Sequence, residues 1–220
     1  MQVLVAGATG ETGRRVITHL RDRNIPFKAL VRDQQAASAI LPAGTEMVVG
    51  DVLNPASLTA AIAGCTALIC ATGAKPSLDP TGPYQVDYVG TQNLVNVAKA
   101  AGIEQFVLVS SLCVSRFFHP LNLFWLVLWW KKQAEGVLAQ SGLTYTIVRP
   151  GGLKNDDSDE RTLVMAPADT LFEGSVPRWK VAATCVEALL TPSAQNKIVE
   201  IVAQTEALEQ PYSDLFAGIA

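Results

Sequence analysis

Three glycines at positions 7, 10 and 13 are the first residues whose type and spacing point to chemistry. They stand in VLVAGATGETGRRV, residues 3–16, directly after an apolar strand-like run and at the opening of a helical pattern. In that context Gly7 permits a tight turn, Gly10 lets the backbone approach a pyrophosphate, and Gly13 lets the helix close on the strand. The free amides and positive end of the helix would bind the phosphates. Thr9, Glu11, Thr12 and Arg14 belong to the same loop and first turn, and are assigned with the glycines to dinucleotide binding. The competing reading is a plain glycine-rich turn.

The second strand-like run ends Ala29-Leu30-Val31-Arg32. An acidic residue at that place accepts hydrogen bonds from the ribose in NAD-specific sites. Arginine instead offers a planar fork that grips a phosphate, so Arg32, with Arg14 helping, predicts NADPH through its 2′-phosphate. The alternative is a solvated arginine.

Two residues are candidates for the reaction itself. Ser111 follows the fifth strand-like run, at the carboxyl edge where open α/β sheets bind ligands. It would donate a hydrogen bond to the nicotinamide carboxamide or to substrate, or else Ser110 and Ser111 simply cap a turn. Lys131 is read either as a ribose contact or as a solvated helix lysine, and His119 as a turn residue rather than an acid. The four cysteines and two histidines show neither CxxC nor HxxxH spacing, so no metal site is readable and the thiols are expected to be reduced and buried.

The elements that must position these groups alternate along the chain. Strand-like runs at Val3 to Ala6, Phe27 to Val31, Met47 to Val49, Ala67 to Cys70, Phe106 to Val109 and Tyr145 to Val148 are almost continuously apolar, which suits a parallel sheet covered on both faces. Helical spacing appears between them, as in Gly13, Val16, Ile17, Leu20 and in Leu94, Val97, Ala98, Ala101. The expected fold class is α/β, a Rossmann-like doubly wound parallel sheet in a single domain over residues 1–220. Residues 1–150 form the dinucleotide-binding core and 151–220 a substrate-side cap with a final strand at Ile198 to Val202; residues 151–174 read as an acidic loop and Val176 to Leu190 as a helix.

Composition bounds the rest. With 220 residues, 49% of them hydrophobic and 17% charged, the chain can bury a large core. A net charge of -3 lacks the basic excess that nucleic acid requires. The longest apolar run, Leu123 to Trp130, is far short of a membrane span of about 20 residues. A cytoplasmic protein, monomeric or weakly self-associating, with a small-molecule substrate is expected.

The segments GATGETG, LVRD, Gly50-Asp51-Val52, VDYVGTQNLVNVAKAAG, FVLVSS and YTIVRPGG together resemble the atypical short-chain dehydrogenase/reductases of the NmrA-like, NAD(P)H-binding kind. The first half is most similar to the flavin reductase/biliverdin-IXβ reductase family. By that resemblance Asp51 and Val52 border the adenine, and Ala71, Thr72 and Gly73 the cofactor's ribose and pyrophosphate. Typical short-chain dehydrogenases use a tyrosine acid four residues before a lysine. Aligned on Lys131 or Lys132, that position holds Val127 or Leu128, and neither transfers a proton. The resemblance and this departure imply NADPH-dependent hydride transfer to a planar electron sink, a flavin such as FMN or a linear tetrapyrrole such as biliverdin. A non-catalytic NADPH-binding regulator or assembly factor is the alternative. The segment from Arg116 to Trp130 reads as a core helix, as an aromatic wall for a planar substrate, or as a contact with a subunit or membrane surface.

Overall fold

The computed structural model describes residues 1–75 and 77–219. In chain order the elements are β1 (Val3–Ala6), α1 (Glu11–Asp22), β2 (Phe27–Val31), α2 (Gln34–Ser38), β3 (Met47–Val49), α3 (Pro55–Ala61) and β4 (Ala67–Cys70). A π-helical segment (Pro83–Val89) then runs straight into α4 (Gly90–Ala101), followed by β5 (Gln105–Val109), α5 (Val127–Ala139), β6 (Tyr145–Pro150) and β7 (Gly152–Lys154). The chain ends with β8 (Thr162–Pro167), β9 (Ser175–Pro177), α6 (Arg178–Leu190), β10 (Lys197–Gln204) and α7 (Tyr212–Ala217).

Eight strands form one sheet in the order β3-β2-β1-β4-β5-β6-β10-β8, and all pairings except that of β8 with β10 are parallel. This is the expected α/β Rossmann-like architecture. Alternation along the strands feeds two cores: Val3 and Val5 pack with Val16, Ile17 and Leu20 of α1 and with Val181 and Cys185 of α6. Leu4 and Ala6 face the other way, toward Leu58 of α3, Leu94 and Ala98 of α4, and Leu138 of α5. Because β1 lies between β2 and β4, successive connections leave it in opposite directions, and a crevice opens beyond the carboxyl ends of β1 and β4.

Two expectations need correction. The stretch read as an acidic loop contains β8, which pairs antiparallel with β10 from Thr162 against Gln204 to Pro167 against Val199. The C-terminal segment therefore extends the main sheet, and only the short β7–β9 pair stands apart from it. Its strands escape sequence reading because β7 and β9 have three residues each, too short to show periodicity. Second, the segment before α5 is not a core helix. Phe118, Leu123 and Phe124 are 96%, 84% and 64% exposed, whereas Asn122 and Leu128 are buried. Trp125 and Leu126 adopt left-handed backbone conformations (φ 56° and 58°), which break any helical face before Val127.

Candidate functional site

The crevice is a cleft of about 370 Å³ whose lining includes Gly7, Thr9, Gly10, Arg32, Asp51, Val52, Ala71, Thr72 and Gly73. These nine residues, drawn from the ends of β1, β2, β3 and β4, are brought together as the sequence predicts. The other four assigned to the cofactor lie behind them: Thr12 and Gly13 are buried at the start of α1, and Arg14 pairs with Glu11 rather than lining the cleft.

The glycine loop is built by close backbone contact. Gly7 has φ +80°, and a Cβ there would sit 2.5 Å from the Ala71 carbonyl oxygen, so the β1 and β4 loops touch only because the side chain is missing. A Cβ on Gly13 would lie 2.1 Å from the Gly7 oxygen, which makes Gly13 the packing glycine of helix on loop. Gly10 differs: its nearest neighbour to an added Cβ is the Gly7 oxygen at 3.2 Å, and its cleft side is open. Gly10 precedes α1 without any side-chain cap, so the amides of the first helical turn remain available to an anion. A dinucleotide pyrophosphate fits this cradle.

Arg32 is exposed on the rim and has no carboxylate within 4.0 Å among the described residues. Its neighbour Asp33 is occupied as the cap of α2, accepting from the Ala36 amide at 3.0 Å. Asp51 accepts from the Leu53 amide at 2.9 Å, and Asn93 donates to the Val52 carbonyl at 2.9 Å, tying the loop after β3 to α4.

Against the Gly73 wall of the cleft, Lys131 is far from solvated: its side chain is 18% exposed and its Nζ lies 2.7 Å from Oδ1 of Asp87, itself 1% exposed. Tyr84 meets Trp130 edge-on and Tyr88 lies tilted against it, with ring centroids 4.8 and 5.7 Å apart, and together they pack the π-helical segment on α5. Thr72, Asp87, Thr91, Ser110 and Lys131 line a recess of about 10 Å³, room for about one water. Ser110, rather than Ser111, reaches this recess, and its hydroxyl donates to Glu135 at 2.6 Å. Ser111 is half-buried beside it and makes no hydrogen bond from its side chain among the described residues. His119 accepts from the Leu121 amide at 3.2 Å, a turn role. All four cysteines are free and buried.

Sequence reading missed Asp87, and it missed a second polar cluster. Arg149, fully buried on β6, makes a bidentate pair with Glu135 (2.9 and 2.8 Å) and reaches Asp169 at 2.8 Å and Glu200 at 3.2 Å. Glu200 also accepts the amides of Asp169, Thr170 and Leu171. These carboxylates and their neighbours hold the guanidinium above its ordinary titration range against the opposing effect of burial. A lone arginine inside an apolar strand was the one available signal, since a buried guanidinium requires buried acids.

Comparison with known proteins agrees with this geometry. The chain is 45% identical to an uncharacterized chloroplastic protein of Arabidopsis thaliana, over 99% of this chain and 82% of that protein. It is 37% identical to the chloroplastic Protein TIC 62 of Arabidopsis thaliana, over 99% of this chain but only 38% of that longer protein. Sanguinarine reductase of Eschscholzia californica is 32% identical, with 99% and 94% covered. Among solved structures, one named "Putative NAD-dependent epimerase/dehydratase" from Bacillus halodurans superposes with a TM-score of 0.87 at 26% identity, covering 99% of both chains. The expectation of a cytoplasmic protein is overturned by the first two of these relatives, which are chloroplastic. No helix among the described residues is long and apolar enough to cross a membrane. The NAD(P)H-binding family profile matches residues 7–192, and with the cleft at the β1–β4 crevice this chain belongs to the NAD(P)H-binding family of Rossmann-fold oxidoreductase-like proteins.

Proposed function

We propose that this protein is an NADPH-dependent reductase that delivers hydride to a planar, electron-poor acceptor, a flavin or a linear tetrapyrrole, without a tyrosine acid. The observation that carries the reading is a cleft running from the unpaired Arg32 to Gly73, with the Lys131–Asp87 pair against its Gly73 wall and the aliphatic Val127 and Leu128 at the sequence positions where a tyrosine would stand. A match along nearly the full length of a relative named as a reductase supports it.

In this reading the glycine loop and the α1 amides hold the pyrophosphate, Arg32 the 2′-phosphate, and Lys131 the ribose next to the nicotinamide. The nicotinamide, when bound, supplies the hydride. The chain's own contribution is alignment: Ser111 offers a hydroxyl not already committed to the fold, and an acceptor whose conjugated system spreads charge collects its proton from solvent. NADPH oxidation assayed with FMN and with several biliverdin isomers tests the proposal. Turnover with one of them is expected, and tight NADPH binding with no turnover on any acceptor would overturn it.

A second reading is favoured by the exposed apolar segment from Phe117 to Trp129. In it the chain binds NADPH and does no chemistry, and that surface meets a partner. The same assay separates the two.

A further inference from the structure

We infer that Asp87 is a positioning residue, which fixes the Lys131 ammonium so that its remaining donors face the nicotinamide ribose. This rests on the NADPH reading above; Asp87 lies in the segment VDYVGTQNLVNVAKAAG, to which the sequence reading gave no role in the site.

The carboxylate joins three parts of the site. Oδ1 meets Lys131 Nζ on α5 at 2.7 Å, while Oδ2 accepts the Ala74 amide at 3.3 Å. Asp87 thereby links the lysine to the strap after β4, of which Ala71, Thr72, Gly73 and Ala74 line the cofactor cleft. A Cβ added to Gly73 would stand 3.7 Å from Asp87 Oδ1 and 3.9 Å from Lys131 Nζ, so the pair lies directly under the cleft wall. Asp87 itself sits on the π-helical segment, a widened turn of the kind that recurs at functional sites.

An ammonium has three donors, and one directed at Asp87 leaves others for a ligand. The remaining titratable groups that bear on Lys131 are Cys70 on β4 and Glu135 on α5. Cys70 is paired with the Thr72 hydroxyl at 3.1 Å, and both oxygens of Glu135 are taken by Arg149. Asp87 is therefore the counterion that compensates Lys131 for its loss of water. Burial pushes the Lys131 ammonium down, and the Asp87 charge, with smaller help from Cys70 and Glu135, more than offsets it, so the lysine stays charged above its usual range. An asparagine would keep the shape and remove this compensation.

The experiment measures NADPH affinity by calorimetry across neutral to alkaline pH for wild type, Asp87→Asn, Lys131→Met and the double variant, with circular dichroism melts to confirm folding. Asp87→Asn is expected to weaken NADPH binding about tenfold to a hundredfold, the range for a charge-assisted contact. The loss should grow as pH rises, because Lys131 without its counterion gives up its proton earlier, while wild type stays flat over the same interval. In the Lys131→Met background the Asp87 change should add nothing further. Binding by Asp87→Asn as tight and as flat in pH as wild type overturns the inference alone, as do strictly additive losses in the double variant. Absence of NADPH binding by wild type instead sinks the cofactor reading and this inference with it. Should Asp87→Asn fail to fold, Lys131 labelled at Cε and followed by NMR in Asp87→Glu decides it: a carboxylate still within reach keeps the high titration, and an unchanged cofactor affinity despite a lowered one overturns the role.

Discussion

The cofactor cleft and the Arg149 network both lie at the carboxyl ends of sheet strands and both gather polar groups, yet they use them in opposite ways. Around Arg149 each charge is answered within the chain: its guanidinium is divided among Glu135, Asp169 and Glu200, and Glu200 takes three backbone amides besides. In the cleft the donors of the α1 start and of Arg32 face open volume. A saturated cluster holds the fold, and an unsaturated one awaits a ligand. The contrast assigns stability to the first region and binding to the second.

Substitutions can break that division. The largest effect is expected for Arg149→Met, which leaves Glu135 and Glu200 buried without their counterion and should cost about 3–5 kcal/mol of stability. Denaturant unfolding followed by circular dichroism measures it, and the folded fraction should still bind NADPH normally. A wild-type melting curve would mean that the network is ornamental to the fold.

Next comes Gly10→Val, which should weaken NADPH binding more than about a hundredfold, or roughly 2.7 kcal/mol, by filling the cradle. The fold should survive, since the added group meets only the Gly7 oxygen. Gly13→Ala should behave inversely and destabilise the chain, because its Cβ collides with that oxygen. If Gly10→Val remains as well protected against heat by NADPH as wild type, the loop is not the phosphate site.

Arg32→Ala sharpens the comparison within the cleft. It should lose about 1.5–3 kcal/mol of NADPH affinity and leave NADH almost unchanged. Equal losses for both cofactors in calorimetry would remove the 2′-phosphate assignment. The smallest effect belongs to Ser111→Ala, where turnover should fall about five- to fiftyfold, roughly 1–2.3 kcal/mol. A thousandfold collapse in steady-state rate would make the serine an essential proton relay.

The division also explains what could be read from the chain beforehand. The cleft was legible because its logic is local: Gly7, Gly10 and Gly13 stand within one turn-and-helix opening, and Arg32 follows a strand that an apolar run marks plainly, while Asp51, Val52 and residues 71–73 came only from the family resemblance. The Arg149 network was not, because it joins positions 135, 149, 169 and 200 through the packing of separate elements. Asp87 escaped for the same reason, since its partner lies on α5. The aromatic segment misled in another way. Its residues satisfy a buried-helix pattern, but the left-handed Trp125 and Leu126 break any helix before Val127, and Phe118, Leu123 and Phe124 are left exposed.

That exposure has a practical result for anyone who measures this protein. Phe118, Leu123 and Phe124 offer a native, wetted greasy surface to any amphiphile, with Trp125 and Trp129 beside them 44% and 38% exposed. Environment-sensitive dyes such as anilinonaphthalene sulfonates should fluoresce on the folded chain, which erases the dark baseline that dye-based melting requires. Ligand screens are better read by far-ultraviolet dichroism, and buffers carrying a mild detergent should sharpen the sedimentation boundary while leaving the melting midpoint where it was.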